Sequence, residues 1–373
     1  MCHILSSRNL PGGDRNAKRG CREVNAWCIF AAVVVLCSVF PASGADATFA
    51  QLVSRYIESD DVDERHDILG QIGNIRSLEN VSKADFETFS DGLLDYQPPA
   101  LTIEKQDGSY APFSLSVTMP DGRSLPVLIQ LPRAYDHQRL WPLLLAMHGG
   151  PGRGPDDGRL GALRMQNAWR AAANDAGWVV ASPAMNHVYV HGRASAQRLA
   201  YEILTSKQME AVVADVTRHF RIDPNLVVAT GVSLGANFSI AHAAARPDRF
   251  SSIVPISSEG EFRQKLLRNL RHTCVFIVSG GRDRNIRTID GPRAMFRILS
   301  GFNFNVVYRE FAERGHEAFV PLYPEILNWT VKRPRDPFPA VVLRIPHQGI
   351  MPVARRIHWL EVDTRQGLAG GEI

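Results

Sequence analysis

Ser233 stands between two glycines in the stretch Gly231-Val232-Ser233-Leu234-Gly235-Ala236. An apolar run, residues 226–230, precedes it and a small-residue helical stretch follows. That order predicts a sharp strand-to-helix turn with the serine at its tip. Such a turn holds its central residue in a strained conformation. Side chains two residues either side would meet the neighbouring strand and helix, which calls for glycine at both places. The turn would lift the Ser233 hydroxyl clear at the C-terminal edge of a sheet. A serine hydroxyl is too weakly acidic to attack an ester at neutral pH, so it needs a base.

The chain has twelve histidines. His316 alone follows the last apolar run, residues 305–311, in a Gly-His-x-x-Phe loop. His219, His242 and His272 fall on predicted helices or strand approaches and read as solvated or structural. Asp283 follows the apolar run 274–279 in a glycine-rich loop, and its carboxylate suits the role of fixing the imidazole tautomer. Two other acids compete with it: Glu259, just after the preceding strand, and Asp290, seven residues further along. The third requirement is a pair of amide donors for the oxyanion. His148-Gly149-Gly150-Pro151-Gly152 follows the run 143–147. Pro151 has no N–H, which leaves Gly150 or Gly149 as one donor. The backbone N–H of Leu234, at a helix start, is the other. Loss of one such donor costs roughly 2.7–4 kcal/mol of transition-state stabilisation. A phosphate-binding loop is a poor alternative, since neither G-K-[ST] nor G-x-G-x-x-G occurs.

These residues need a scaffold that brings strand ends together. FSLSVTM and LPVLIQL flank Pro120-Asp121-Gly122-Arg123 and read as a β-hairpin. Six apolar runs follow, at 143–147, 178–183, 226–231, 252–257, 274–279 and 305–311, separated by helical stretches. Runs apolar on both faces are buried parallel strands, so the fold class is α/β: a three-layer, mostly parallel sheet with a leading hairpin. Gly177 suits a helix C-terminal cap after the alanine-rich 163–176, and Pro247 stops the helix after Ser233. Residues 45–100 read as a helical segment. Phe49, Leu52, Val53, Tyr56 and Ile57 share one helix face, and Ile68, Leu69, Ile72 and Ile75 repeat the pattern. Residues 101–333 form the catalytic domain. Residues 334–373 read as a linker and a short β-rich extension, with AVVLRI and IHWLEV as two strands.

Residues 1–44 run from a basic stretch through an apolar one to Pro41-Ala42-Ser43-Gly44, the order of a cleaved export signal. Secretion or export to a periplasm follows, with an uncleaved N-terminal anchor as the alternative. That segment carries five Lys/Arg and two Asp/Glu, so its removal lowers the net charge from +4 by three, to +1. No electrostatic case for a nucleic-acid partner remains. Four of the five cysteines leave with it. Cys274, in CVFIV, reads as a buried core thiol. No spacing suggests a metal site and nothing calls for a cofactor.

Together RLWPLLLAMHGGPG, RIDPNLVVATGVSLGA, SGGRDRN and RGHEAF resemble the α/β-hydrolase superfamily. The likeness is to its esterase and prolyl-oligopeptidase-like branch, which includes polyhydroxybutyrate-depolymerase-like and feruloyl-esterase-like proteins, and it covers residues 120–332. It implies Ser233 as nucleophile, Asp283 as acid, His316 as base, and Gly150 with Leu234 as oxyanion donors. Many relatives carry His before the serine and Gly-Gly after it; here Val232 and Gly235-Ala236 stand instead. The implied substrate is a small-molecule or polymer-linked ester. His187, Tyr189, His191 and Arg193, in a segment expected to overhang the same edge, are candidates to touch it, or simply part of a polar surface loop. Trp169 and Trp178 fit the core better than a sugar platform. A serine exopeptidase with the same machinery and a non-catalytic binding protein on this scaffold are the competing readings.

Overall fold

The computed structural model describes residues 109–150, 157–185, 206–260 and 264–346, strand residues 105–106, 187–191, 197–201, 356–357 and 360–361, and isolated positions elsewhere. The chain divides into two compact units, Met1–Asp95 and Tyr96–Ile373. In the first, Leu52 and Ile68, both expected on apolar helix faces, are helical and buried. Arg55 and Glu64 pair at 3.4 Å. The rest of the helical pattern, and residues 1–44, lie outside the described residues.

The second unit is built on one eight-stranded sheet. Its strands are β3 (Phe113–Thr118), β4 (Ser124–Gln130), β5 (Trp141–Met147), β6 (Val179–Pro183), β9 (Ile222–Val232), β10 (Ser252–Ile256), β11 (Cys274–Gly280) and β12 (Val306–Phe311). The spatial order is β12-β11-β10-β9-β5-β6-β4-β3. The expected hairpin is β3–β4; β4 is antiparallel to β3 and β6, and every other pairing is parallel. Two short antiparallel pairs precede and follow: β1 (Lys105–Gln106) with β2 (Ser109–Tyr110), and β13 (Arg356–Ile357) with β14 (Leu360–Glu361).

Helices α1 (Asp157–Ala176), α2 (Ser206–His219), α3 (Leu234–Ala245), α4 (Arg287–Gly301) and α5 (Tyr323–Thr330) connect or follow the strands. Alternate residues along each strand face opposite sides. Leu143, Leu145, Ala229 and Ile277 pack in a core with residues of α2, α3 and α4, such as Val216, Ile240 and Leu299. Leu144, Ala146, Val228 and Phe276 pack in another with Trp169 of α1 and Tyr323 of α5. The three layers follow directly from strands apolar on both faces. This is the α/β-hydrolase fold. Trp169 and Trp178 are fully buried, and Trp169 stacks on Tyr323 with ring centroids 3.5 Å apart. Gly177 caps α1 at φ 73°, where a side chain would be strained.

Two segments depart from the sequence reading. The expected overhanging loop contains an antiparallel hairpin, β7 (His187–His191) with β8 (Gln197–Tyr201). Alternation in HVYVH is a strand signal that the polar residues obscured. The run AVVLRI is not a strand. Instead Asn269 bonds both backbone groups of Ile345, donating to its oxygen and accepting from its N–H, and His272 bonds Val341 O. Side-chain partners replace a sheet ladder there. Nor is the linker free, since Arg335 donates to Asn225 through backbone and side chain.

Candidate active site

The parallel register decides which residues meet. Met147 of β5 lies beside Gly231, Val232 beside Ile256, Ile256 beside Val278, and Gly280 beside Phe311. Each strand therefore ends at the same edge, and the residues just beyond are His148, Ser233, Ser257, Gly281 and Ala312.

Ser233 adopts φ 57° and ψ −116° between β9 and α3, a conformation that L-residues avoid. Its neighbours force it. A Cβ on Gly235 would lie 2.2 Å from Met147 O, and one on Gly231 would lie 2.3 Å from the Gly235 carbonyl carbon. The turn is thus wedged against β5, and both glycines are required by contact. Ser233 N–H donates to Ile256 O at 2.9 Å, which fastens the tip to β10.

The HGG loop lies directly alongside. A Cβ built on Gly149 would be 3.5 Å from Ser233 Cβ. The buried His148 ring organises this loop. Its Nε2 accepts from Met185 N–H at 3.1 Å, so its Nδ1 carries the proton and donates to Gly149 O at 2.7 Å. Gly161 of α1 leaves room for that ring; a Cβ there would come within 2.6 Å of it. Among the described residues no peptide is cis. Fixing the Gly149 carbonyl therefore turns the Gly150 N–H to the opposite side. The sequence reading used this loop for its glycines alone and gave the histidine ring no part; its place in the motif was the available signal.

His316 Nδ1 bonds Asp283 Oδ2 at 2.5 Å. The Asp283 side chain is only 3% exposed, while the His316 side chain is 40% exposed. The carboxylate is set from below by the Asn285 N–H, which donates to its Oδ1 at 3.0 Å. Burial works against the charge of Asp283. Hydrogen bonding from the Thr288 side chain, the Asn285 N–H and the His316 ring outweighs it and holds the carboxyl below its usual range. Glu259 takes no part in that pair. Its carboxylate accepts from Asn285 Nδ2 at 2.8 Å and pairs with Arg287 at 3.2 Å. Asp290 is exposed and lies 3.9 Å from Arg293. Geometry therefore joins His316 to Asp283 and to neither rival. Among the described residues no hydrogen bond joins Ser233 Oγ to the His316 ring. In hydrolases without substrate this contact is often long or misaligned, and it tightens on binding.

The other histidines singled out from sequence stand apart. His219 ends α2, His272 ends a 3₁₀ segment, and His242 is buried in α3. The backbones of His187, Tyr189 and His191 lie in β7, and Arg193 lies outside the described residues. Cys274, expected as a buried core thiol, is half-buried at the start of β11, and that burial pushes its thiol up. Among the described residues no group of three or more His, Cys, Asp or Glu could hold a metal.

The Esterase family model matches residues 116–317, which run from β3 to the residue after His316. The chain belongs to the Esterase family. No curated protein matches this esterase-family chain. Among solved structures it is similar to a thermostable esterase, with 18% identity over 60% of this chain and 63% of that one, at TM-score 0.48. It thus spans less than two thirds of that protein. It is also similar to an S-formylglutathione hydrolase from Staphylococcus aureus (15% identity, 59% and 98% of the two chains, TM-score 0.44). A third likeness is to a dipeptidyl peptidase 4 from Porphyromonas gingivalis (15% identity, 60% and 36%, TM-score 0.45).

Proposed function

We propose that this chain is a serine carboxylic-ester hydrolase that works through an acyl-enzyme on Ser233. The observation that carries this reading is the His316–Asp283 bond at the sheet edge where the strained Ser233 emerges. Ser233 Oγ attacks the ester carbonyl and His316 Nε2 takes its proton. Asp283 holds the Nδ1–H and balances the imidazolium. The N–H groups of Gly150 and Leu234 receive the oxyanion, the latter favoured by its place at the start of α3. Collapse breaks the bond to the alcohol oxygen, which leaves with the proton from His316. Water, deprotonated by the same ring, then attacks the acyl carbon, and the acid departs as Ser233 regains its proton. No cofactor or metal enters these steps. Family membership supports a small-molecule or polymer-linked ester as substrate.

The purified protein should hydrolyse p-nitrophenyl acetate and butyrate but not aminoacyl-nitroanilides. Ser233→Ala and His316→Ala should each lower ester turnover by at least about 10³-fold while remaining folded. Anilide turnover in place of ester turnover would favour an exopeptidase. No turnover of either class would favour a binding protein on this scaffold.

A further inference from the structure

We propose that Ser257 is a positioning residue for His316, an inference that rests on the reading of His316 as the general base. Ser257 follows β10 directly. It is fully buried and adopts φ 50°, a left-handed conformation that costs a non-glycine residue energy. The strain is held from three sides. The Ser257 N–H donates to Val278 O of β11 at 2.8 Å. The carbonyl just before it, Ile256 O, accepts from Ser233 N–H at 2.9 Å. The Ser257 hydroxyl donates to Glu317 O at 2.9 Å. Glu317 is the residue after His316, so this bond anchors the 317–318 peptide, one residue beyond the Cα that carries the imidazole.

Two adjacent residues thus join three parts of the site. The nucleophile turn hangs from Ile256, the strand that leads to Asp283 is bonded to Ser257, and the histidine loop is tied to the Ser257 hydroxyl. Asp283 and Ser257 hold His316 in different ways. The carboxylate orients the ring through Nδ1, whereas the hydroxyl anchors the loop backbone one residue beyond it. Residues 315–317 belong to no helix or strand, so their position depends on such ties. Gly280 closes the other side, where a Cβ would lie 2.2 Å from Gly315 O. A base displaced by even about 1 Å loses up to roughly 100-fold in rate.

The test is steady-state kinetics on p-nitrophenyl acetate with Ser257→Ala and Ser257→Gly, alongside urea midpoints. Both variants lack the hydroxyl, but glycine also relieves the left-handed strain and alanine does not. Both should lower kcat about 10- to 100-fold with KM within about twofold of the parent. The two losses should be alike even though the glycine variant is the more stable. A kcat within about twofold of the parent in both variants overturns the inference, as does a loss that tracks the urea midpoint. Ser233→Ala in the same assay separates the two levels. If it is inactive while the Ser257 variants are normal, only this inference fails. If it is fully active, the reading of the site fails and takes this inference with it.

Discussion

At the scale of single residues, the acid is the assignment that sequence left open. Asp283 and Glu259 both follow a strand at the correct edge, so position along the chain could not separate them. The separation is made by contacts. Asp283 is buried against the ring of His316, and Glu259 is occupied by Asn285 and Arg287. Asp283→Asn should therefore lower kcat by about 10²–10⁴-fold, since the amide can present its NH₂ to Nδ1 and favour the wrong tautomer. Glu259→Gln should keep kcat within about tenfold, because its carboxylate engages Asn285 and Arg287 rather than the His316 ring. Kinetics on a chromogenic ester check both, and near-normal turnover in Asp283→Asn with loss in Glu259→Gln would reverse the assignment. The polar supports of the site, Ser257, Asn285 and the His148 ring, were not legible. Serines and asparagines after strands are common, and only the fold shows which backbone group each one reaches.

At the scale of elements, much more was legible, for a physical reason. A strand buried on both faces must be apolar throughout, so the six runs announced themselves. Each strand of the core lies within a few residues of its run. The Gly-x-Ser-x-Gly turn was legible because its glycines answer to backbone contacts that no side chain fits. The hairpin β7–β8 was misread because its polar residues obscured the alternation, and the run 340–345 because Asn269 and His272, distant in sequence, supply its backbone partners. Helix α3 holds a feature with a measurable consequence. His242 is fully buried, and among the described residues neither ring nitrogen has a partner. Burial pushes its pKa down from 6.5 to about 3. The folded value lies below the unfolded one, so the unfolded chain takes the proton first as pH falls. Stability from this group is complete above pH 6.5 and drains away between 6.5 and about 3. Its slope is about 1.4 kcal/mol per pH unit for one proton. Urea midpoints from pH 7 to 4 should fall less steeply in His242→Leu than in the parent. Parallel curves would show that His242 binds its proton equally well in the folded chain.

At the scale of the whole molecule, one sheet gathers groups more than eighty residues apart in sequence at one edge. The fold thus brings the serine and the histidine–carboxylate pair to the same sheet edge. Among the described residues no helix is long and apolar enough to cross a membrane. We propose that residues 1–44 direct export and are removed. The support is their basic, apolar, small-residue order. Mass spectrometry of protein exported by a bacterial host should give an N terminus at Ala45 or Asp46. Recovery only of chains that retain residues 1–44 would point instead to an anchor. The most direct test of the central claim is covalent labelling. A fluorophosphonate should add once per chain, on the peptide that contains Ser233. The adduct should be absent in Ser233→Ala and form far more slowly in His316→Ala. An active enzyme labelled at another residue, or labelled equally without Ser233, would contradict the account.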